Sequence, residues 1–271
     1  MRTRRLPLRL AFLAVSLALF LWGGFLAWRQ SERADATAVW MSSAEIIEAP
    51  GGPLLCIADG EGPAVLVFHD APGGADTAWQ AARFLTGQGF RVLAFSRPGY
   101  PGSPLRDSPQ ALVRDVAAIL DAEDISQAAV LAIGEGAWDA RDFAAAHPQK
   151  VSSLVFAGTP AAEQATPARH LRKRRPVGES SLRQLGWQRD AARVRKPSGP
   201  LPDALAVLCL AGSEDTLANP ATMSRDLALP ASTRQAVVPG AGHFLFEDAG
   251  SDNARAAVIQ FLLANPPRRD G

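Results

Sequence analysis

Cysteine and tyrosine are scarce in this 271-residue chain, which holds two of the first and one of the second. Two cysteines cannot form the framework of a disulfide-built secreted domain. Cys56 and Cys209 fall in apolar, strand-like runs far apart in sequence. They read as buried thiols, because a bridge would need those two strands to be neighbours. A surplus of charge is missing too: 28 Lys and Arg against 27 Asp and Glu leave a net +1. No chain-wide basic footprint for nucleic acid exists, so no nucleic-acid partner is expected. Phosphate-loop and dinucleotide fingerprints are absent, and no cofactor is expected. His69, Asp70, Glu135 and His243 are of metal-ligating types but lack tight ligand spacing, so no metal is expected either. One further absence is local. Between Gln127 and Val151 there is no serine, threonine or cysteine.

What is present begins with an apolar run. Leu10 to Trp28 carries no charge and has Ser16 as its only hydroxyl, about the length of a membrane-spanning helix. Arg2, Arg4, Arg5 and Arg9 precede it, while Arg29, Glu32 and Arg33 follow and nearly cancel. The positive-inside rule then expects a single-pass anchor in the cell (inner) membrane, with the folded domain on the non-cytoplasmic side. A cleaved signal peptide competes, since Ala34-Asp35-Ala36 fits a cleavage site. The run is longer than the usual h-region, and either reading exports the domain. The expected organisation is a basic tail at 1–9, an anchor at 10–28, a linker at 29–43, a folded domain at 44–265 and a short tail at 266–271.

Within 44–265 the pattern alternates. Ala44–Pro50 and Pro53–Ala58, separated by Gly51-Gly52, read as an opening hairpin. Apolar strands are expected at Ala64–His69, Arg91–Ser96, Ala128–Ile133, Val151–Ala157, Ala204–Ala211 and Arg234–Val238. Helices are expected at Asp76–Gln88, Pro109–Ala122, Glu135–Ala146, Pro220–Leu227 and Asn253–Ala264. Strand–helix alternation of this kind predicts an α/β fold, a mainly parallel twisted sheet with helices on both faces. The alternation stops between 160 and 202, a stretch that carries Arg169, Arg172, Lys173, Arg174, Arg175, Arg183, Arg189, Arg193, Arg195 and Lys196. It reads as a solvated basic segment or as a cap that meets anionic lipid headgroups.

The motifs at the strand ends are more specific. His69-Asp70-Ala71-Pro72-Gly73-Gly74 follows one strand and Ala132-Ile133-Gly134-Glu135-Gly136 ends another. Ser96-Arg97-Pro98-Gly99-Tyr100 follows a third, and Asp215 and His243 follow the last two. In this order they resemble the α/β-hydrolase superfamily, and the basic segment then matches the position of a lid. The resemblance implies a nucleophile at Gly134, an acid at Asp215 and a base at His243, in a catalytic triad. It implies oxyanion-hole N–H groups at Ala71 and Glu135, and a pocket lined by His69, Asp70 and Arg97. The sequence departs from the pattern twice. Gly134 stands where a serine is usual, and Asp70 stands where glycine is usual, with Arg97 as its expected partner. A second register puts Gly136 at the turn and is similar to a carboxylesterase elbow, but it leaves Trp138 where a small residue belongs. Asp139 lies several residues into the helix and reads as a surface residue.

Three functions follow from these features. One is a hydrolase or lyase in which a His243–Asp215 dyad acts as general base, or in which a hydroxyl outside the turn, Ser103 or Ser180, attacks. Another is a non-catalytic protein that binds a small molecule or lipid-like ligand. The third is a membrane-anchored interaction module.

Overall fold

The computed structural model describes residues 15–16, 19–24, 44–162, 183–247 and 250–267. Residues 1–43 form a unit apart from 44–271. Of the apolar run at 10–28, residues 15–16 and 19–24 are described, and they are helical. Among the described residues no helix is long and apolar enough to cross a membrane.

The larger unit is built on eight strands: β1 (Ala44–Ala49), β2 (Gly52–Asp59), β3 (Ala64–Phe68), β4 (Arg91–Phe95), β5 (Ala128–Ile133), β6 (Val151–Ala157), β7 (Ala206–Gly212) and β8 (Arg234–Val238). They form one sheet in the order β1-β2-β4-β3-β5-β6-β7-β8. The β1–β2 and β2–β4 pairs are antiparallel and every other pair is parallel, as the hairpin followed by alternation predicts. Four strands lie between Cys56 on β2 and Cys209 on β7. Both are buried free thiols, and burial pushes each up to about 12.

Among the described residues six helices accompany the sheet: α1 (Ala75–Ala82), α2 (Pro109–Ala122), α3 (Gly136–Ala146), α4 (Gln184–Ala192), α5 (Pro220–Asp226) and α6 (Ser251–Ala264). In β3 and β5 both residue parities are buried: Leu66, Phe68, Val130 and Ala132 share one core with α2, α3 and α5, while Val65, Val67, Ala129 and Leu131 are equally covered from the other side. A strand buried on both faces needs the unbroken apolar runs seen in the sequence. The helix expected over Asp76–Gln88 is shorter. It gives way at Arg83 to a 3₁₀ turn through Gln88, where the Thr86 hydroxyl donates to the Arg83 carbonyl and Gly87 adds a weak helix former. One element escaped the alternation. Helix α4 lies inside the segment expected to be a cap.

Candidate functional site

Every element that supplies a site residue does so from the carboxyl edge of the sheet, where open α/β sheets gather their loops. Phe68 ends β3 and delivers His69 and Asp70. Ile133 ends β5 and delivers Gly134 and Glu135, and the loops after β7 and β8 deliver Asp215 and His243.

Asp215 and His243 come together, 28 residues apart, with Nδ1 of the imidazole 2.9 Å from Asp215 Oδ2. The Asp215 side chain is fully buried and that of His243 is 12% exposed. Oδ1 of Asp215 accepts from the backbone N–H groups of Leu217 at 2.8 Å and Ala218 at 3.1 Å. The carboxylate is therefore fixed by its own loop and does not depend on the histidine. With Nδ1–H donating to it, Nε2 is left as the proton acceptor.

The β5 turn is held by Gly134 N–H donating to the Ala157 carbonyl at 3.0 Å. Gly134 has φ +53°, a left-handed conformation that glycine adopts without penalty. Helix α3 starts at Gly136, where a Cβ would lie 2.5 Å from the His69 carbonyl oxygen. Gly134 is thus the turn residue and Gly136 the close-approach residue, which matches the first of the two registers.

The space above Gly134 is filled. A Cβ on Gly134 would lie 1.9 Å from Oδ1 of Asp70 and 2.1 Å from its Cγ. The Asp70 carboxylate takes up the volume that a side chain on the turn would need. Its Oδ1 accepts from the Glu135 N–H at 2.9 Å, the donor that the family resemblance assigns to the oxyanion hole. Ala71, carrier of the other assigned N–H, is buried beside it on the same loop. On the adjacent strand, Gly158 has φ +62° and a Cβ there would lie 3.8 Å from Nδ1 of His243. Ile133 and Ala157 are paired in register. Asp70 above Gly134 and His243 above Gly158 thus stand over neighbouring strand ends, roughly 5 Å apart in a sheet.

Arg97 does not pair with Asp70. It is fully buried and turned the other way, with Nη1 on Asp139 at 2.9 Å and Nη2 on Asp190 at 2.6 Å, while Nε donates to the His69 carbonyl at 2.9 Å. A fully desolvated guanidinium takes the carboxylates it can reach bidentately, and two from α3 and α4 outcompete the one on its neighbouring loop. Nor does His69 line an open pocket: it is 1% exposed. Its Nε2 accepts from the Arg97 N–H at 2.9 Å and its Nδ1 donates to the Asp70 carbonyl at 2.6 Å. Burial and the Arg97 charge push it well below the ordinary histidine range. Neutral His69 is a strut that shapes the Asp70 loop.

Asp139 is not a surface residue. It is 2% exposed and binds Arg97, Arg189 at 2.8 Å and Arg193. Burial alone would raise its carboxyl, but Arg189, Arg193 and Arg97 together hold it well below the usual range. Arg193 also pairs with Asp142 at 2.6 Å, Arg195 with Glu135 at 2.8 Å and Arg183 with Asp76 at 2.6 Å. The Tyr100 hydroxyl donates to Asp190 at 2.7 Å. Gly186 N–H donates to the Gly99 carbonyl at 2.9 Å, and a Cβ on Gly186 would meet the Tyr100 ring at 2.4 Å. The described arginines of the basic segment therefore bind the protein's own acids, neither solvated nor free for lipid. Arg169, Arg172, Lys173, Arg174 and Arg175 lie outside the described residues. Sequence reasoning missed this network, although Glu135, Asp139 and Asp142 share a helical face and Arg189 and Arg193 share another, a matched spacing of opposite charge.

The two alternative hydroxyls differ in fate. Ser103 is buried, and its Oγ accepts from the Leu55 N–H at 3.2 Å, which gives it a structural bond in place of a nucleophile's role. Ser180 lies outside the described residues. Among the described residues no three side chains of metal-ligating type come together.

Comparison with known proteins agrees with this layout. The α/β hydrolase fold family matches residues 63–185, a span that takes in the Asp70 loop, the β5 turn and the start of α4. The chain is an α/β-hydrolase-fold protein. Uncharacterized proteins from two strains of Mycobacterium tuberculosis are 32% identical over 195 residues, 68% of this chain. The chain spans 64% of their length. An α/β hydrolase fold protein from Nakamurella multipartita superposes with a TM-score of 0.64 at 22% identity, covering 81% of this chain and 99% of that one. A carboxylesterase from Bacillus subtilis gives 0.63 at 14% identity, over 85% and 95% of the two chains. An epoxide hydrolase from Mycobacterium thermoresistibile gives 0.59 at 19% identity, over 82% and 98%. At such identities the likeness is one of fold.

Proposed function

We propose that this α/β-hydrolase-fold protein is a hydrolase in which His243, oriented by Asp215, takes its proton from water. The observation that carries this reading is the dyad itself. Nδ1 to Oδ2 is 2.9 Å, and Asp215 is further held by two backbone N–H groups, while the turn beneath it has no hydroxyl to serve. An oriented imidazole of this kind supplies about 10²–10⁴-fold as general base. Structural neighbours named for ester and epoxide hydrolysis bring water-consuming chemistry to mind for this chain too. The substrate would be a small or lipid-like molecule, and residues 10–28 would anchor the domain outside the cytoplasm. Membrane fractionation of the full chain against residues 34–271 tests that last point, and full-length protein recovered in the soluble fraction would overturn it.

Activity is tested with residues 34–271 on a panel of p-nitrophenyl esters and epoxides, native against His243→Ala. Turnover that His243→Ala abolishes is the expected result, and turnover indifferent to that change would overturn the reading. One observation favours a second reading, a ligand-binding protein: Asp70 already occupies the Glu135 N–H that would stabilise an acyl-transfer oxyanion. A binder would show no turnover, but it would gain thermal stability in the presence of a panel member.

A further inference from the structure

We infer that Asp70 is the nucleophile, a carboxylate delivered from the β3 loop into the place left empty by Gly134, and that it attacks saturated carbon bearing an anionic leaving group. The inference rests on the proposed role of His243 as the base that activates water.

Four observations converge. Oδ1 lies 1.9 Å from where a Gly134 Cβ would be, close to the position of the first reactive atom of a side chain on that turn. The same Oδ1 accepts from the Glu135 N–H at 2.9 Å. Asp70 forms no ion pair among the described residues, whereas Asp139, Asp142, Asp190 and Glu135 are all held by arginine. The residue is half-buried, unlike fully enclosed Arg97 and His69. The four buried acids of α3 and α4 and the turn before them each bind a guanidinium, and Asp70 does not. This one keeps Oδ2 uncommitted at the edge of the sheet where His243 stands.

The bond arrangement defines a two-step cycle. An electron pair on Asp70 Oδ2 forms a bond to the saturated carbon while the bond to the leaving group breaks, and that group departs as an anion such as halide. The result is an alkyl ester of Asp70. Water then adds to Asp70 Cγ as its proton passes to Nε2 of His243, and the charge that develops on Oδ1 is met by the Glu135 N–H. Collapse breaks the bond between Cγ and the alkyl oxygen. The alcohol leaves with the original Oδ2, taking the proton from His243, and the Asp70 carboxyl, now carrying an oxygen from water, releases water's second proton to solvent to restore the carboxylate. An anionic leaving group fits because the chain's only tyrosine, Tyr100, is committed to Asp190, which removes the phenol as a proton donor.

The test uses residues 34–271 with 1-bromobutane in H₂¹⁸O, followed by mass spectrometry of the peptide containing Asp70. In the native protein, the first turnover should place ¹⁸O in the Asp70 carboxylate and release butanol with ordinary oxygen. His243→Gln should stop after the first step and leave that peptide heavier by a butyl group. Asp70→Asn, whose amide oxygen can still accept from the Glu135 N–H, should fold and lose bromide release to the buffer background. Butanol labelled in the first turnover over an unlabelled Asp70 would overturn the assignment, as would a His243→Gln protein that acquires no butyl group. If p-nitrophenyl esters are still hydrolysed in a His243-dependent way in either case, the proposed function survives without Asp70. If His243→Ala leaves all turnover intact, the proposed function falls as well.

Discussion

Two groups of carboxylates lie within a few residues of one another on this sheet edge, and the protein treats them differently. Asp139, Asp142, Asp190 and Glu135 are buried and each meets at least one arginine, four guanidinium groups in all from Arg97, Arg189, Arg193 and Arg195. Asp70 and Asp215 meet none among the described residues. They are held by backbone N–H groups and, for Asp215, by His243. A carboxylate locked to guanidinium is chemically silent, because its lone pairs are spent and its charge cancelled. A carboxylate held by amide donors keeps its charge and part of its coordination free. The first group fastens α4 to the body of the domain, and the second is the group able to take part in chemistry.

The sharpest way to break this contrast is to remove one charge from each group. Asp139→Asn takes a shared carboxylate from three arginines, two of them largely enclosed and one fully buried, and leaves Arg97 and Arg189 on Asp190 and Arg193 on Asp142. A loss of about 3–5 kcal/mol is expected in urea unfolding. Asp70→Asn keeps an acceptor for the Glu135 N–H and should change stability by less than about 1 kcal/mol. Equal costs would erase the distinction drawn between the two groups.

A smaller effect is expected at the turn. Gly134→Ala adds a Cβ that meets Oδ1 of Asp70 at 1.9 Å on a backbone with φ +53°, for a combined cost of about 2–4 kcal/mol. Adding Asp70→Gly removes the collision but leaves the backbone strain, so the pair should couple by about 1–3 kcal/mol in a double-mutant cycle. Additive losses would mean that Asp70 does not occupy the turn. The same geometry makes Gly134→Ser by itself a poor test of a restored serine, since Asp70 must leave first.

The smallest effect concerns His69, the strut beneath the Asp70 loop. Its folded-state pKa is depressed by burial and by Arg97, while the unfolded chain takes up a proton below about pH 6.5. The unfolded state therefore binds more protons as pH falls. The contribution is complete above about pH 6.5 and declines below it, with a slope approaching about 1.4 kcal/mol per pH unit. His69→Gln should flatten the stability profile between about pH 6.5 and 5, whatever it does to the value at pH 7. His147, also depressed by burial and Lys150, would contribute a residual slope of the same sign. A slope unchanged by His69→Gln would assign it elsewhere.

Much of this molecule was readable in its sequence. Strand positions follow from runs such as Ala64–Phe68 and Ala128–Ile133, because a strand buried on both faces has no room for polar residues. Asp215 and His243 were legible through the resemblance to the α/β-hydrolase superfamily, which expects an acid and a base after the last two strands. The glycine at the turn was legible as a missing hydroxyl, but the residue that fills its space was not. Asp70 and the Glu135 N–H are 65 residues apart, and no local pattern reports which side chain will reach across a strand end. Arg97 shows the same limit. It sits closest in motif to Asp70 yet spends its guanidinium on Asp139 and Asp190, 42 and 93 residues away.

The amino-acid sequence alone determined the α/β class, the order of elements, the buried thiols and the His243–Asp215 pair. The first three are written in short-range periodicity, and the pair in an order of motifs that resembles the α/β-hydrolase superfamily. Tertiary structure alone decided which acid meets which arginine, whether Asp139 is inside or outside, and what stands over Gly134. Those outcomes depend on the distance between loops that only the packed sheet brings together, and an electrostatic or steric contact has no signature until that distance is set.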